Sequence, residues 1–368
     1  MEQFLQRYMY SWRFNGWFFH DITLGIVLGI GFLALVLLII NRTRLKVILI
    51  VMLIWLGASN FAMLIFGLAG RGFSIQAESA IYTNEEQDIA IQMVRGLENN
   101  GTVRGMTQMI SHYLIVGVDV QTGEKQWTKS ASYKEKLVGN FMDGLLVHHR
   151  DGEFGQLSLL DIETGKELLS EKEFRQQHKP LIDILSNGAH ELLAVQNNLY
   201  VEGVDGKFYR YDGKNLNEDP QAEQYLTTRF SIEATIPDYF ANHQQPLTDD
   251  EEIRKFSSML LEEPAIQAYQ NLNPKVIDVD IEAQTALVSY QQTKRESADH
   301  MLVLYDLNKH QIAWDINIGM VDSYQKQPSV RIVDDAYIVQ TGDHLLIVDK
   351  DTRNIRATYH LRWNRPIS

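Results

Sequence analysis

Two uncharged apolar runs, followed by many short strand-like segments, set the pattern of the chain. Residues 22–40 read ITLGIVLGIGFLALVLLII, with no charge and one hydroxyl side chain, Thr23. At helical rise such a run spans roughly 30 Å, the thickness of a bilayer's hydrocarbon core. A six-residue polar turn, 41–46, leads to a second uncharged run over 47–70, interrupted only by Ser59 and Asn60. The pattern predicts a two-helix transmembrane hairpin over 22–70, with spans 22–40 and 47–70. Asn60 is tolerable there if its amide finds a neighbouring helix. Gly25 and Gly29 form a small-xxx-small pattern that lets helix backbones approach closely.

Residues 1–21 carry Tyr8, Tyr10, Trp12, Trp17, Phe18 and Phe19. Such aromatic side chains favour the headgroup layer, so the segment reads as an interfacial anchor. A cleaved signal peptide fits less well, because the leading segment is long and aromatic rather than short and basic. Arg42, Arg44 and Lys46 crowd the turn, while Arg7, Arg13 and Arg71 lie on the opposite side. The clustered turn is expected to be cytoplasmic. The remainder, 77–368, would then lie outside the cytoplasm of a bacterial inner membrane.

Beyond residue 77 one unit recurs: an apolar strand, an Asp, a tight turn and a second strand. It appears as YLIVGVDVQTGEKQW at 113–127, QLSLLDIETGKELL at 156–169, MLVLYDLNKHQIAW at 301–314 and HLLIVDKDTRNIRA at 344–357, with a degenerate copy, KFYRYDGKNL, at 207–216. The marker residues Asp119, Asp161, Asp212, Asp306 and Asp349 are separated by 42, 51, 94 and 43 positions. A period of about 40–50 residues marks propeller blades, and the pattern predicts an all-β propeller of about five to seven blades, the wide gap leaving room for one more. The Asp carboxylate accepts from backbone amides ahead of it, and Gly123 or Gly165 supplies the positive φ that closes the turn.

The run Asp119-Val120-Gln121-Thr122-Gly123 followed by Trp127 resembles the tryptophan-docking repeat of the pyrroloquinoline-quinone-like (quinoprotein dehydrogenase-like) propellers. Asp161, Thr164 and Gly165 keep the same offsets with Leu169 at the Trp position, and Asp306 and Trp314 keep the Asp-to-Trp spacing. The resemblance implies that the Trp of one blade packs against the next. It also raises an enzyme reading, membrane-bound oxidation of an alcohol or sugar by bound quinone with calcium and an Asp base. The adjacent cysteines of alcohol-oxidising members are missing, and no Glu-Asn-Asp calcium cluster falls on a motif. A fold shared with enzymes does not confer their activity. The expectation is therefore a non-enzymatic member without cofactor.

One stretch breaks the pattern. Over 246–272, Thr248-Asp249-Asp250-Glu251 forms a capping-box sequence, Ile253, Phe256 and Leu260 follow at helical spacing, and Pro264 should end the helix. This helical insertion reads either as a partner-contacting element or as a brace for the blades.

Composition narrows the chemistry. The formal net charge is −13; residues 1–76 hold six Arg/Lys and two Asp/Glu (+4), so the rest carries −17. An acidic domain with no basic stripe is not expected to bind nucleic acid. The chain has no cysteine, which removes disulfides, thiolate metal sites and cysteine nucleophiles. GxxxxGK, GxGxxG and GxSxG motifs are missing too. His148 and His149 invite a metal reading, but neighbours on a strand point to opposite faces. Asp278 and Asp280 alternate with Val and Ile, which reads as the solvated face of a half-exposed strand. What remains is a membrane-anchored binding or assembly platform whose partners are the bilayer and another membrane or envelope protein. A sensor that relays occupancy through the hairpin is a further reading, but the six-residue turn offers it little output surface.

Overall fold

The computed structural model describes residues 8, 12, 14, 18–42, 44–68, 74–103, 106–150, 156–185, 192–244, 250–295, 298–321, 327–362 and 365–367. Most of the predicted aromatic anchor, the flanking Arg7, Arg13 and Arg71, and the Thr248-Asp249 half of the capping box lie outside the described residues. The chain separates into two compact units, one of Met1–Ser74, Gly96–His112 and Arg362–Asn364, the other of Ile75–Arg95, Tyr113–Leu361 and Arg365–Ser368.

The first unit contains helices α1 (Phe18–Ile40) and α2 (Leu45–Leu68). Within α1, Asp21–Ile40 is long and apolar enough to cross a membrane; the described apolar stretch of α2, Leu45–Phe61, is shorter. Phe32 and Ile40 stand 70% and 68% exposed, a degree of uncovered apolar surface that water disfavours. The two helices meet where Trp55 lies against Gly31; a methyl group at Gly31 would collide with the indole.

The second unit is built from five antiparallel sheets, of which residues 96–103 and 106–112 of the first sheet belong to the first unit. Blade 1 comprises β1 (Ser74–Ala77), β2 (Tyr82–Thr83), β3 (Ile89–Val103), β4 (Met106–Asp119) and β5 (Lys125–Ala131). Blade 2 is β6 (Glu135–Phe141), β7 (Gly144–His149), β8 (Gln156–Leu160) and β9 (Glu167–Leu169). Blade 3 is β10 (Leu192–Val195), β11 (Asn198–Glu202), β12 (Phe208–Tyr211) and β13 (Leu216–Glu218). Blade 4 is β14 (Lys275–Asp280), β15 (Thr285–Gln291), β16 (Asp299–Asp306) and β17 (Gln311–Met320). Blade 5 is β18 (Ser329–Ile332), β19 (Ala336–Thr341), β20 (His344–Asp349), β21 (Ile355–His360) and β22 (Arg365–Ile367). In blades 2 to 5 each strand pairs with the next in sequence, the up-and-down order of propeller blades.

Apolar contacts stack the sheets in order. Ile115 and Trp127 of blade 1 pack with Leu137 and Leu145 of blade 2. Leu146 and Leu157 of blade 2 pack with Leu199 and Tyr211 of blade 3, and Leu287 and Leu302 of blade 4 with Val330 and Val339 of blade 5. Blade 5 returns to blade 1: Arg356 Nη1 donates to Gln121 Oε1 at 2.9 Å, and the Asp334 amide donates to Gln87 Oε1 at 2.8 Å. The ring thus closes, giving a mostly-β unit with the connectivity of a five-bladed propeller.

The seam between blades 3 and 4 differs. Helices α3 (Glu171–Gln177) and α4 (Lys179–Ile182) sit between blades 2 and 3, but α5 (Gln221–Thr235), α6 (Tyr239–His243), α7 (Asp250–Glu262) and α8 (Pro264–Gln267) fill the interval before blade 4. Leu226, Ile232, Ile253 and Leu260 share one core with Val195 of blade 3 and Val288 of blade 4. The 94-residue gap therefore holds no further blade, and the insertion begins at Gln221 rather than Pro246. The reason is legible in hindsight: Ala222, Tyr225, Leu226, Arg229 and Ile232 are buried at the three- and four-residue spacing of a helix, not the alternation of a strand. Among the insertion's helices, α7 ends at Glu262, and Pro264 opens α8 at its first turn, where its missing N–H costs nothing.

Candidate functional site

The marker Asp of every blade occupies the same place, the turn from β4 to β5, β8 to β9, β12 to β13, β16 to β17 and β20 to β21. Asp119 Oδ1 accepts from the amides of Gln121 and Thr122, at 2.9 and 2.7 Å, and from the Thr122 hydroxyl at 2.9 Å. Asp161 accepts from Thr164 N, Asp306 from Lys309 N, and Asp349 from Asp351 N, Thr352 N and Thr352 Oγ1. Such bonding holds the Asp349 carboxyl well below its ordinary range, the Thr352 amide contributing most. In the degenerate copy Asp212 is lowered to about 2, chiefly by the Asn215 amide. Four residues after the Asp the backbone turns left-handed, at Gly123 (φ 69°), Gly165 (φ 66°), His310 (φ 51°) and Arg353 (φ 59°).

The position eight residues after the Asp docks on a neighbouring blade. Trp127 donates from Nε1 to the Ile162 carbonyl at 2.9 Å, and its ring lies on Gly165, where any side chain would collide. At the same offset in blade 5, Ala357 meets Gly123 of blade 1, where an added methyl would sit 2.8 Å from the Ala357 Cβ. Trp314 of blade 4 packs against Tyr337 of blade 5, with ring centroids 5.2 Å apart.

Other singled-out residues fall differently. Gly25 and Gly29 face open space, so the close helix approach sits at Gly31 and Trp55 instead. Asn60 donates to the Leu56 carbonyl of its own helix at 2.7 Å and accepts from the Tyr8 hydroxyl. His148 is buried, and burial pushes its pKa down to about 4. His149 points the other way, 2.8 Å from Ser158 Oγ through Nε2, with Glu171 3.5 Å from Nδ1. That order of groups mimics a hydrolase triad, but Ser158 is only 1% exposed, leaving no approach for a substrate carbonyl. Asp278 corrects the solvated-face expectation. β14 is covered on both faces over Val276, Ile277, Asp278 and Val279, so Asp278 is buried, while Asp280 at the end of the strand stays exposed and accepts from Ala283 N.

Asp278 belongs to a polar hub where the first strands of the blades and helices α5 and α6 converge. His243 Nε2 lies 3.0 and 3.1 Å from the two Asp278 oxygens. Asp238 Oδ2 accepts from Ser329 Oγ at 2.7 Å and from Val330 N at 2.8 Å. Asn242 donates to the Val330 carbonyl at 3.0 Å and accepts from Ile332 N at 2.9 Å, so its amide supplies what a neighbouring strand would give the edge of β18. Arg229 donates to the Leu192 carbonyl of β10 and to Glu233, and Asn140 of β6 donates to Thr83 O of β2 at 2.7 Å. Arg331 reaches from β18 to Thr83 Oγ1 at 3.3 Å.

Burial governs the electrostatics here. It raises Asp238 to about 6, against the lowering pull of its bonds to Ser329 and Val330. Asp278 is raised by burial and pulled back by His243; Arg331 is lowered to about 10 by burial, opposed by Tyr82, Asp278 and Asp238. Asp238 and Asp278 thus fasten the helical insertion to blades 5 and 4. Among the described residues no three His, Asp or Glu side chains converge as a metal site. Sequence reasoning missed Asp238, Asn242, His243 and Arg331. The available signals were the i, i+4 polar pair Asp238 and Asn242, and a lone Arg inside the apolar run Ser329-Val330-Arg331-Ile332-Val333.

No protein-family profile matches the chain, and no curated protein matches it. Among solved structures, it is similar to the β-propeller domain of the Trilobed protease from Pyrococcus furiosus, at 10% identity over 76% of this chain and 81% of that one, with a TM-score of 0.20. It is also similar to apo AztD from Citrobacter koseri (8% identity, 79% and 88% covered, TM-score 0.21) and to a europium-containing methanol dehydrogenase (10%, 78% and 80%, 0.17). At these scores the blade connectivity alone carries the architecture.

Proposed function

We propose that the protein is a membrane-anchored propeller that serves, without catalysis of its own, as a binding or assembly platform for another membrane or envelope protein. One observation carries the reading: a closed ring of five sheets, locked at its turns and at its hub, stands in one chain with an uncovered apolar helix of spanning length. Rigid blades present loops at fixed positions, and tethering raises the effective concentration of any partner in the same membrane. In this reading α1 and α2 form a hairpin with a cytoplasmic turn at 41–46. The propeller then lies on the outer side of the inner membrane. The docking of Trp127 on Gly165 supports placing the repeats with the pyrroloquinoline-quinone-like propellers, as a non-enzymatic member.

The test is purification of the tagged full chain in mild detergent with identification of co-purifying chains. A stoichiometric membrane or envelope protein is expected; recovery of the chain alone under several gentle conditions overturns the reading. Protease added to intact spheroplasts should digest the propeller, and full protection would reverse the orientation.

A further inference from the structure

We propose that the hub is a binding site for a small monocarboxylate, held by the free Nε and Nη1 donors of Arg331. The inference goes beyond the platform reading and stands apart from it. A guanidinium carries five N–H donors, has no acceptor and keeps its charge. Arg331 is 8% exposed, yet its one hydrogen bond among the described residues runs from Nη2 to Thr83 Oγ1 at 3.3 Å. Nε and Nη1 are buried and bonded to nothing there. Buried polar groups are ordinarily satisfied, and a charged one more strictly so.

The neighbouring acids do not fill the role. Asp238 spends Oδ2 on Ser329 and Val330, and Asp278 spends both oxygens on His243. Glu233 pairs with Arg229 at 2.9 Å. With those pairs set aside, Arg331 and Asp238 remain as one cation and one anion that make no ion pair with each other among the described residues. A single added negative charge is balanced when Asp238 is protonated, whereas a dianion would leave the hub overcharged. That favours a singly charged anion over a doubly charged phosphate and couples binding to proton uptake, and the paired Nε and Nη1 donors suit the two oxygens of a carboxylate.

The groups that act on Arg331 are Tyr82 on β2, Asp238 beside α6 and Asp278 on β14, the last bonded to His243 of α6; Glu233 of α5 acts on Asp238, while Lys136 on β6 lies in the field of Arg229 and Glu233. Of these acids Asp238, raised to about 6 by burial, changes charge between mildly acidic and neutral conditions. Its protonation removes the negative charge that competes for Arg331. Binding should therefore strengthen as pH falls through that range.

Equilibrium dialysis of the detergent-solubilised full chain against radiolabelled acetate, at matched chloride ionic strength, tests this. Saturable uptake is expected, on the order of tenfold tighter at about pH 5.5 than at about pH 7.5. Arg331→Gln should weaken it at least about tenfold, the loss expected when a charged hydrogen-bonding group is removed. Asp238→Asn should bind acetate with the pH dependence abolished. Uptake by the wild type that does not saturate or that chloride displaces, or undiminished uptake by Arg331→Gln, overturns the proposal. Should Arg331→Gln fail to fold, Asp238→Asn decides, and an unaltered pH dependence there is equally fatal.

Discussion

The turns at the outer rim of the ring and the hub at its inner strands are both held by Asp carboxylates, yet they work over opposite distances along the chain. At the rim, Asp119 bonds residues two and three positions ahead, and Asp349 does the same. At the hub, Asp238 bonds residues 91 and 92 positions away, and Arg331 reaches across 248. A rim turn closes whatever its neighbours do, which is why blade 3 keeps its turn with Asp212, Lys214 and Asn215 after losing the Thr-Gly. Hub groups acquire their partners only once several blades have met, so their free energies are coupled and a single loss exposes others.

The largest effect should come from Trp127, a rim residue that also joins blades. Trp127→Ala empties the space over Gly165 and Gly117 and leaves the Ile162 carbonyl without its donor, and it should cost about 3–5 kcal/mol in denaturant unfolding. A loss under about 1 kcal/mol would show that blades 1 and 2 are not coupled through this ring. Next comes the hub. Asp238 has a folded pKa raised above its unfolded value, so its contribution is present in full below about pH 4 and is lost as pH rises through about 6. The ionised, buried form costs about 3 kcal/mol at neutral pH. Asp238→Asn should flatten that part of the stability–pH curve, and an unchanged slope would remove Asp238 from the coupled set.

Smaller effects separate the rim turns from one another. Gly123→Ala must hold φ near 69° and press on Ala357, and about 1–2 kcal/mol of destabilisation is expected by thermal or denaturant unfolding. Arg353→Gly has the opposite sign. An exposed Arg in a left-handed conformation is replaced by the residue that adopts it freely, and a gain of up to about 1 kcal/mol is expected. A loss there would mean that the Arg353 side chain, not the backbone, sets the stability of that turn.

Legibility followed the same division. Asp119, Asp161, Asp212, Asp306 and Asp349 could be read as markers because their chemistry is complete within a few residues. The blade count could not be closed in the same way, since the 94-residue interval says nothing of what fills it. The hub was opaque for a stricter reason. Asp278 looked solvated because alternation presumes one exposed face, whereas β14 is covered on both, and nothing near Arg331 in sequence announces Thr83. Spacing alone cannot say which face of a helix meets its neighbour: Trp55 lies against Gly31, not against Gly25 or Gly29.

The order of residues dictates whatever is settled by pattern and by short-range bonding: two apolar helices, short apolar strands, and Asp turns that close on the next few residues. Ring closure, the helices standing in for a blade, and the ionisation of Asp238 and Arg331 were decided by folding in three dimensions. Burial and hydrogen bonding between blades are properties of neighbours in space, and the carboxylate of Asp238 and the guanidinium of Arg331 change their affinity for protons because the assembled chain has removed their water.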